Sequence, residues 1–356
     1  MPDKKRLPIK GPAIFLAQFL GMYQGFDNLS NLARWAAELG YQGIQVPCDP
    51  RLIDLDRAAS SRDYCDELKG MCAECNIEIT ELSTHLQGQL VAVHPVYAMQ
   101  FEGFAPESLR GKPKAQSDWA ASELKKAARA AKNLGHNVQV GFSGGLAWPY
   151  LYPWPQRPPS LIDEAFTELG KRWNPILNAF DEAGVDYAYE LHPAQDLMDG
   201  TSFERFLEIT GDHSRVAINY DPSHFILQQL DYLQFIEIYA SRIRAFHVKD
   251  AEFKPTGRQG VYSGFSNWVE RAGRFRSLGD GQVDFKTVFS RLCQHGYKGW
   301  AVLEWECPLK SAEQSAKEGV DFIRRHIINP TKCDFDHFAE KNLDRNVIRD
   351  MLGICL

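Results

Sequence analysis

Short apolar, β-rich runs alternate along the whole chain with stretches whose apolar residues recur at three- and four-residue spacing. The runs are residues 13–19, Gly43 to Pro47, Ile77 to His85, Asn137 to Ser143, Val185 to His192, Arg215 to Tyr220, Ile243 to Lys249 and Trp300 to Trp305, eight in all. The helical stretches include Leu29 to Leu39, Ser117 to Leu134, Leu161 to Ala183, Asp284 to His295 and Ala312 to His326. Glycine closes four of the helices directly before a strand, at Leu39-Gly40-Tyr41, Leu134-Gly135-His136, Ala183-Gly184-Val185 and His295-Gly296-Tyr297. Eight strand–helix units in roughly 320 residues predict an α/β fold, a closed parallel (β/α)8 TIM barrel rather than an open doubly wound sheet. No glycine-rich phosphate loop follows any of the strands. The unbroken pattern predicts one barrel domain, residues 1–328, and a partly helical C-terminal extension, residues 329–356.

Three connections are long, at residues 86–115, 144–161 and 251–283, and all follow strands: the third, fourth and seventh. In a parallel barrel the loops after the strands build the site, so these three are expected to wall it. The second carries Trp148, Tyr150, Tyr152, Trp154 and Arg157 among prolines, a set suited to stacking on a sugar ring or, equally, to anchoring an irregular loop.

Composition narrows the function classes. With 40 Lys+Arg against 46 Asp+Glu, a net charge of −6, the chain lacks the basic face of a nucleic-acid binder. The longest apolar stretch near the start, Ala13 to Leu20, is too short for a membrane span, and the polar first ten residues do not resemble a secretory leader. Eight scattered cysteines in a large chain read as reduced thiols, so a cytoplasmic protein is expected.

The chemistry sits where polar side chains stop apolar runs. Strand five reads Tyr187-Ala188-Tyr189-Glu190, strand six Ala217-Ile218-Asn219-Tyr220-Asp221, strand seven Ala245-Phe246-His247, and strand eight Ala301-Val302-Leu303-Glu304. Four consecutive strands of a barrel bring Glu190, Asp221, His247 and Glu304 to one spot. Three carboxylates in a low-dielectric mouth cost several kcal/mol unless a cation joins them. One imidazole and three carboxylates form a hard, oxygen-rich set, expected to hold one divalent metal: Mn²⁺ first, with Mg²⁺, Co²⁺ or Zn²⁺ as alternatives.

These motifs resemble the xylose isomerase-like sugar phosphate isomerase/epimerase family, which includes ketose 3-epimerases and inosose dehydratase. The resemblance rests on Tyr189-Glu190-Leu191-His192, Asp221-Pro222-Ser223-His224, His247-Val248-Lys249-Asp250 and the Gly279-Asp280-Gly281-Gln282-Val283-Asp284-Phe285 turn, followed by Gly296 to Trp300 and the Glu304 strand. It implies Glu190, Asp221, His247 and Glu304 as metal ligands and His224 as a substrate contact. It also implies Glu190 and Glu304 as the pair that moves the proton beside a substrate carbonyl. The chain departs from the ketose epimerases at Phe253, where they carry Arg, and at Asp196, where they carry Glu. The His-Val-Lys-Asp and Gly-Asp-Gly-Gln-Val-Asp-Phe segments look more like the inosose dehydratase branch.

The expectation is therefore a metal-dependent sugar isomerase or epimerase acting beside a carbonyl. The alternative is a lyase sharing that first step, which expels water or the aglycone of a 3-keto-glycoside. A repair endonuclease of the same fold would need an Asp-x-His pair after the His247 strand, which is missing before Trp300. Small carbohydrates, not nucleic acid or membrane, are the expected partners, and family members commonly form homo-oligomers.

Other residues are candidates by position. Lys249 shares a strand face with His247 and serves as substrate cation, acid/base or salt-bridge partner of the acids. His192 shares a face with Glu190 and is placed to hydrogen-bond substrate or a ligand carboxylate, and His85 ends the third strand, where it either lines the pocket and binds substrate or is a satisfied buried histidine. Arg276, with Arg274, lies before the Gly-Asp-Gly turn and suits either a phosphate or carboxylate of the substrate or a solvated loop position. Asp250 reads equally as a cap. Cys72 and Cys75 match C-x-x-C but fall inside a helix beginning near Ser61 with no second pair, so packing explains them.

Overall fold

The computed structural model describes residues 7–263, 265–331 and 343–354. Eight parallel strands close a barrel: β1 (Lys10–Phe15), β2 (Gly43–Pro47), β3 (Glu78–Ser83), β4 (Val138–Gly141), β5 (Asp186–Glu190), β6 (Val216–Tyr220), β7 (Ile243–Val248) and the last strand in sequence, β10 (Trp300–Leu303), which pairs with both β7 and β1. Two four-residue strands, β8 (Asp250–Phe253) and β9 (Gly273–Arg276), form a separate antiparallel hairpin.

Side-chain size on alternate positions explains the closure. Ala13, Ala188, Ala217 and Ala245, with Val138, Val140 and Val302, belong to small clusters apart from the main core. They have the strand parity of Glu190, Asn219, His247 and Glu304, so small residues and polar ends line the barrel. The other parity carries Ile14, Ile44, Leu82, Tyr187, Tyr189, Ile218, Tyr220, Phe246 and Leu303, all in the main core between sheet and helices. Gly43 marks how tightly the interior is filled: a Cβ there would lie 2.5 Å from Thr80 Cγ2 and 3.0 Å from the Trp300 ring.

Helices Leu29–Leu39, Leu161–Ala183 and Ala312–His326 have the predicted bounds. The first ends in left-handed Gly40 at φ 100° and the second in Gly184 at φ 74°, backbone angles that favour glycine. Both cysteines of the C-x-x-C match lie at helix Arg62–Glu74, Cys72 within it and Cys75 as its C-cap. In the region read as an extension, Arg345–Met351 is helical, whereas residues 332–342 lie outside the described part. No helix among the described residues is long and apolar enough to cross a membrane.

The structure corrects three local expectations. The third strand ends at Ser83, and His85 opens a helix, His85–Val91, in what was read as strand followed by open loop. The first strand ends at Phe15, because Leu16 already starts a hydrogen-bonded turn that takes Phe19 and Leu20. The long third connection is not simply a loop: it contains the β8–β9 hairpin, with Ala251 facing Phe275 in register.

Candidate metal centre and substrate pocket

Glu190, Asp221, His247 and Glu304 each offer a ligand atom within 4.8 Å of the others, and all four are buried. Glu190 ends its barrel strand, His247 is the last residue but one of its own, and Asp221 and Glu304 directly follow theirs. The backbone fixes two of them further. The Asp221 carboxylate caps helix Pro222–Gln228 by accepting from the Ser223 N–H at 2.8 Å, and Val302 faces His247 in the β10–β7 register, which sets Glu304 beyond it.

Glu190 is surrounded by donors. Its Oε1 accepts from His224 Nε2 at 2.9 Å, and its Oε2 from His85 Nε2 at 2.9 Å and Asn219 Nδ2 at 3.2 Å. Ser83 Oγ lies 2.8 Å from His85 Nδ1, so the hydroxyl donates there and leaves the Nε2 proton for Glu190. Burial alone would raise the Glu190 carboxyl, but the three imidazoles outweigh it and hold the group well below the usual carboxylate range. Glu304 accepts from Gln18 Nε2 at 2.8 Å through Oε1, while Oε2 lies 2.8 Å from His247 Nδ1. Burial again opposes ionisation, and Lys249 and His247 overcome it to bring Glu304 down to about 2. Both glutamates are therefore ionised bases.

The imidazoles respond in the opposite sense. Burial pushes His247 down, yet Glu304 and Glu190 outweigh burial and lift it to about 10. His224 is likewise lifted to about 9 against its burial, chiefly by Asp221. His192, whose ring centre lies 4.1 Å from that of His224 with the planes tilted by 57°, is pushed to about 3 by burial and by that neighbouring cation. It is a neutral, polar wall beside the cluster.

The donor set suits a divalent ion. Asp221 Oδ2 and Glu304 Oε2 are buried and accept no hydrogen bond, although imidazolium or ammonium groups stand nearby. An excess of buried carboxylate with unsatisfied oxygens, plus one imidazole, is the chemistry of a hard cation site. Glu190, His192 and His224 form a second close group that shares Glu190 with the first.

Lys249 is buried within this ring, with Nζ 2.5 Å from Glu306 Oε2, 3.4 Å from Glu304 Oε2 and 3.8 Å from Asp221 Oδ2. Burial disfavours its charge, but the acids hold the ammonium well above its usual range. The Phe275 ring lies 4.3 Å from Nζ and 5.3 Å from His224, so the hairpin covers this side of the cluster.

Seven of the expected residues thus come together: Glu190, Asp221, His247, Glu304, His224, His85 and Lys249, with His192 packed against them. Arg276 does not join them. On β9 it alternates with Phe275, and its guanidinium pairs with Glu252 at 2.7 Å, as does that of Arg274. Among the described residues, no hydrogen bond, ion pair or ring contact joins the aromatic loop to the cluster. Trp154 is 73% exposed, Trp148 is half-buried, and Arg157 donates to the Tyr150 carbonyl oxygen.

Several participants had only weak sequence signals. Glu306 and Asn219 each stand two residues from a member of the four-residue cluster, so strand parity could have marked them. Gln18, Gln45 and Phe275 carried no such mark. Asp196, noted only as a departure from the ketose epimerases, proves to anchor the aromatic loop by accepting from the N–H groups of Leu146, Ala147 and Trp148 at 2.7–2.9 Å. Asp250 receives the N–H groups of Gly279, Gly281 and Val283 and so organises the Gly-Asp-Gly turn.

The family model for the xylose isomerase-like TIM barrel matches residues 33–326. The chain belongs to that family. Among curated relatives, an inosose dehydratase of Geobacillus thermodenitrificans is 29% identical over 148 residues, covering 40% of this chain and 49% of its own length. The chain thus spans about half of that relative. Among solved structures, an L-ribulose 3-epimerase superposes with a TM-score of 0.57 at 16% identity, covering 89% of this chain and 94% of its own. A 3-keto-D-glucoside 4-epimerase from E. coli gives 0.56 at 15%, covering 84% and 95%. At such identities these two structures establish the fold.

Proposed function

We propose that this family member is a metal-dependent sugar isomerase or epimerase that removes the proton beside a carbonyl of a sugar or keto-sugar. The observation that carries the reading is the convergence of two ionised glutamates, an aspartate and a histidine, all buried, at the ends of four neighbouring strands. A divalent ion held by Glu190, Asp221, His247 and Glu304 supplies the positive charge that polarises the carbonyl and makes the neighbouring carbon acidic. Mn²⁺ is our first choice, since the set is mainly oxygen with one nitrogen.

The chain's own residues do the rest. One glutamate, Glu190 or Glu304, removes the proton and becomes a carboxylic acid; that acid returns the proton to the adjacent carbon, or the other glutamate delivers to the opposite face a proton that it takes up from solvent. His224 and Lys249, both cationic and buried, hold the developing negative oxygens. His85 orients Glu190 through its 2.9 Å bond, and neutral His192 offers a hydrogen bond to a substrate hydroxyl. Half-buried Trp148 and exposed Trp154, with Arg157, belong to a loop rim for the distal part of a larger substrate, and Arg276 contributes through the hairpin that presents Phe275.

A second reading is favoured by Lys249. An ammonium among the acids can protonate a leaving hydroxyl, which turns the same first step into elimination, and the curated relative named above is a dehydratase. The test is to incubate Mn²⁺-loaded protein in D₂O with ketoses, inososes and 3-keto-glycosides. Deuterium beside the carbonyl in a product of unchanged mass skeleton supports isomerase or epimerase action, whereas loss of water or an aglycone supports the lyase. No exchange with any substrate would sink both.

A further inference from the structure

We propose that Gln45 is a positioning residue that fixes the ring of His247 so that Nδ1 is the ligating nitrogen, and that Glu81 in turn fixes the Gln45 amide. The inference rests on the metal reading of the His247 cluster and deepens it.

The three side chains form a line across the barrel interior. His247 Nε2 lies 2.9 Å from Gln45 Oε1, and Gln45 Nε2 donates to Glu81 Oε2 at 3.4 Å. They come from β7, β2 and β3, and all three are buried: His247 and Gln45 fully, Glu81 at 4% exposure. Among the described residues, neither end of the Gln45 amide has another hydrogen-bond partner. The far side of the imidazole faces the carboxylates and the Asn219 amide, with Nδ1 2.8 Å from Glu304 Oε2 and 3.2 Å from both Glu190 Oε2 and Asn219 Nδ2, whose N–H donates to an unprotonated Nδ1 and so favours the same tautomer.

The polarity of this line follows from what each group is able to do. A carboxylate only accepts, so Glu81 draws the NH₂ end of the amide toward itself. The carbonyl end then faces His247 and also only accepts. Nε2 must therefore carry a proton, and a neutral His247 has its lone pair on Nδ1, aimed at Glu190 and Glu304. Metal-bound histidines gain basicity and a fixed ring plane from such a partner on the other nitrogen, and losing the partner typically weakens metal binding about 10- to 100-fold. Phe15, whose ring lies 5.5 Å from that of His247, packs against the imidazole but offers no polar atom to choose the tautomer.

The test compares wild type with Gln45→Met, a near-isosteric change that removes both polar ends, and with Glu81→Gln, which frees the amide to turn over. Mn²⁺ affinity is read from the free-ion EPR signal, ring protonation from ¹⁵N-histidine spectra of the Zn²⁺-loaded protein, and folding from the melting curve. Wild type is expected to show a protonated Nε2 on His247. Gln45→Met is expected to lose that signal and weaken Mn²⁺ by roughly 10- to 100-fold with a native-like melting profile, and Glu81→Gln to weaken it less. Gln45→Glu, which keeps an acceptor facing His247, should recover most of the affinity; a purely space-filling Gln45 would tolerate Met better than Glu. Wild-type affinity and an unchanged Nε2 signal in Gln45→Met would overturn the inference alone. Failure of wild type itself to bind Mn²⁺ would instead remove the metal reading, and this inference with it.

Discussion

The Lys249 ammonium lies 2.5 Å from Glu306 Oε2 and 3.4 Å from Glu304 Oε2, so one buried cation joins a carboxylate of the candidate metal cluster to a half-exposed acid at the pocket edge. Removing that cation takes away the charge poised to stabilise a developing oxyanion or to donate a proton. Lys249→Met is expected to lower kcat about 100-fold, within the range for a positioned acid, while Mn²⁺ still binds. Glu306→Gln, which leaves the ammonium in place, should cost less. Equal kcat in Lys249→Met and wild type would place the ammonium outside the chemistry.

Glu190→Gln and Glu304→Gln each remove a metal charge and a candidate base together. Both should abolish turnover and weaken Mn²⁺ binding, as read by initial rates and by titration of the apo-protein. Glu190→Gln also strands His224 and His85, which donate to it at 2.9 Å, so its melting temperature should fall further than that of Glu304→Gln. Retained activity in both variants would overturn the two-base mechanism.

The barrel was legible because its alternation is strong: Tyr187-Ala188-Tyr189-Glu190 places large residues toward the helices and small or polar ones toward the axis. The four-strand cluster was legible for the same reason, since charged side chains at the ends of apolar runs have few structural explanations. The β8–β9 hairpin was not, because each arm is only four residues long and residues 254–272 separate them. Gln45 and Gln18 were hidden because an uncharged amide on a strand or turn looks like any satisfied polar residue. Arg276 misled for a related reason: its charge suggested a ligand, yet strand parity turns it toward Glu252 and gives the site-facing position to Phe275.

Asp196 holds three successive N–H groups of the loop after β4: Oδ2 accepts from Leu146, and Oδ1 accepts from both Ala147 and Trp148. Asp196→Ala leaves those groups without their acceptor and should loosen the aromatic loop. If that loop helps bind the distal part of the substrate, KM rises with a smaller change in kcat, measured by steady-state rates on long and short substrates. An unchanged KM for the long substrate would remove the loop from recognition.

Cys72 is fully buried in helix Arg62–Glu74, and its thiol is pushed up by burial to about 12, which describes a packed hydrophobe rather than a ligand. Changing Cys72 and Cys75 together to Ala should lower stability by roughly 1 kcal/mol and leave the Mn²⁺ stoichiometry unchanged. Loss of bound metal, measured by elemental analysis, would show that the cluster at the strand ends is not the site.

Glu252 ties the hairpin together, pairing at 2.7 Å with Arg274, Arg276 and Lys254. Burial alone would raise its carboxyl, but the bonds from Lys254, Arg274 and Arg276 outweigh burial and hold it at about 2, below its ordinary 4.5. A lowered carboxyl stabilises the folded chain at pH values above the unfolded pKa, and that contribution fades as pH falls from 4.5 through about 2. Lys254 is largely in water, so the contribution is discounted to about 2 kcal/mol. Glu252→Gln should therefore destabilise by about that amount at neutral pH, with a gap to wild type that is constant between about pH 5 and 7 and narrows as the solution is acidified. Urea unfolding of both proteins across about pH 3 to 7 reads the gap directly, and a gap independent of pH would mean that Glu252 acts through packing rather than through its charge.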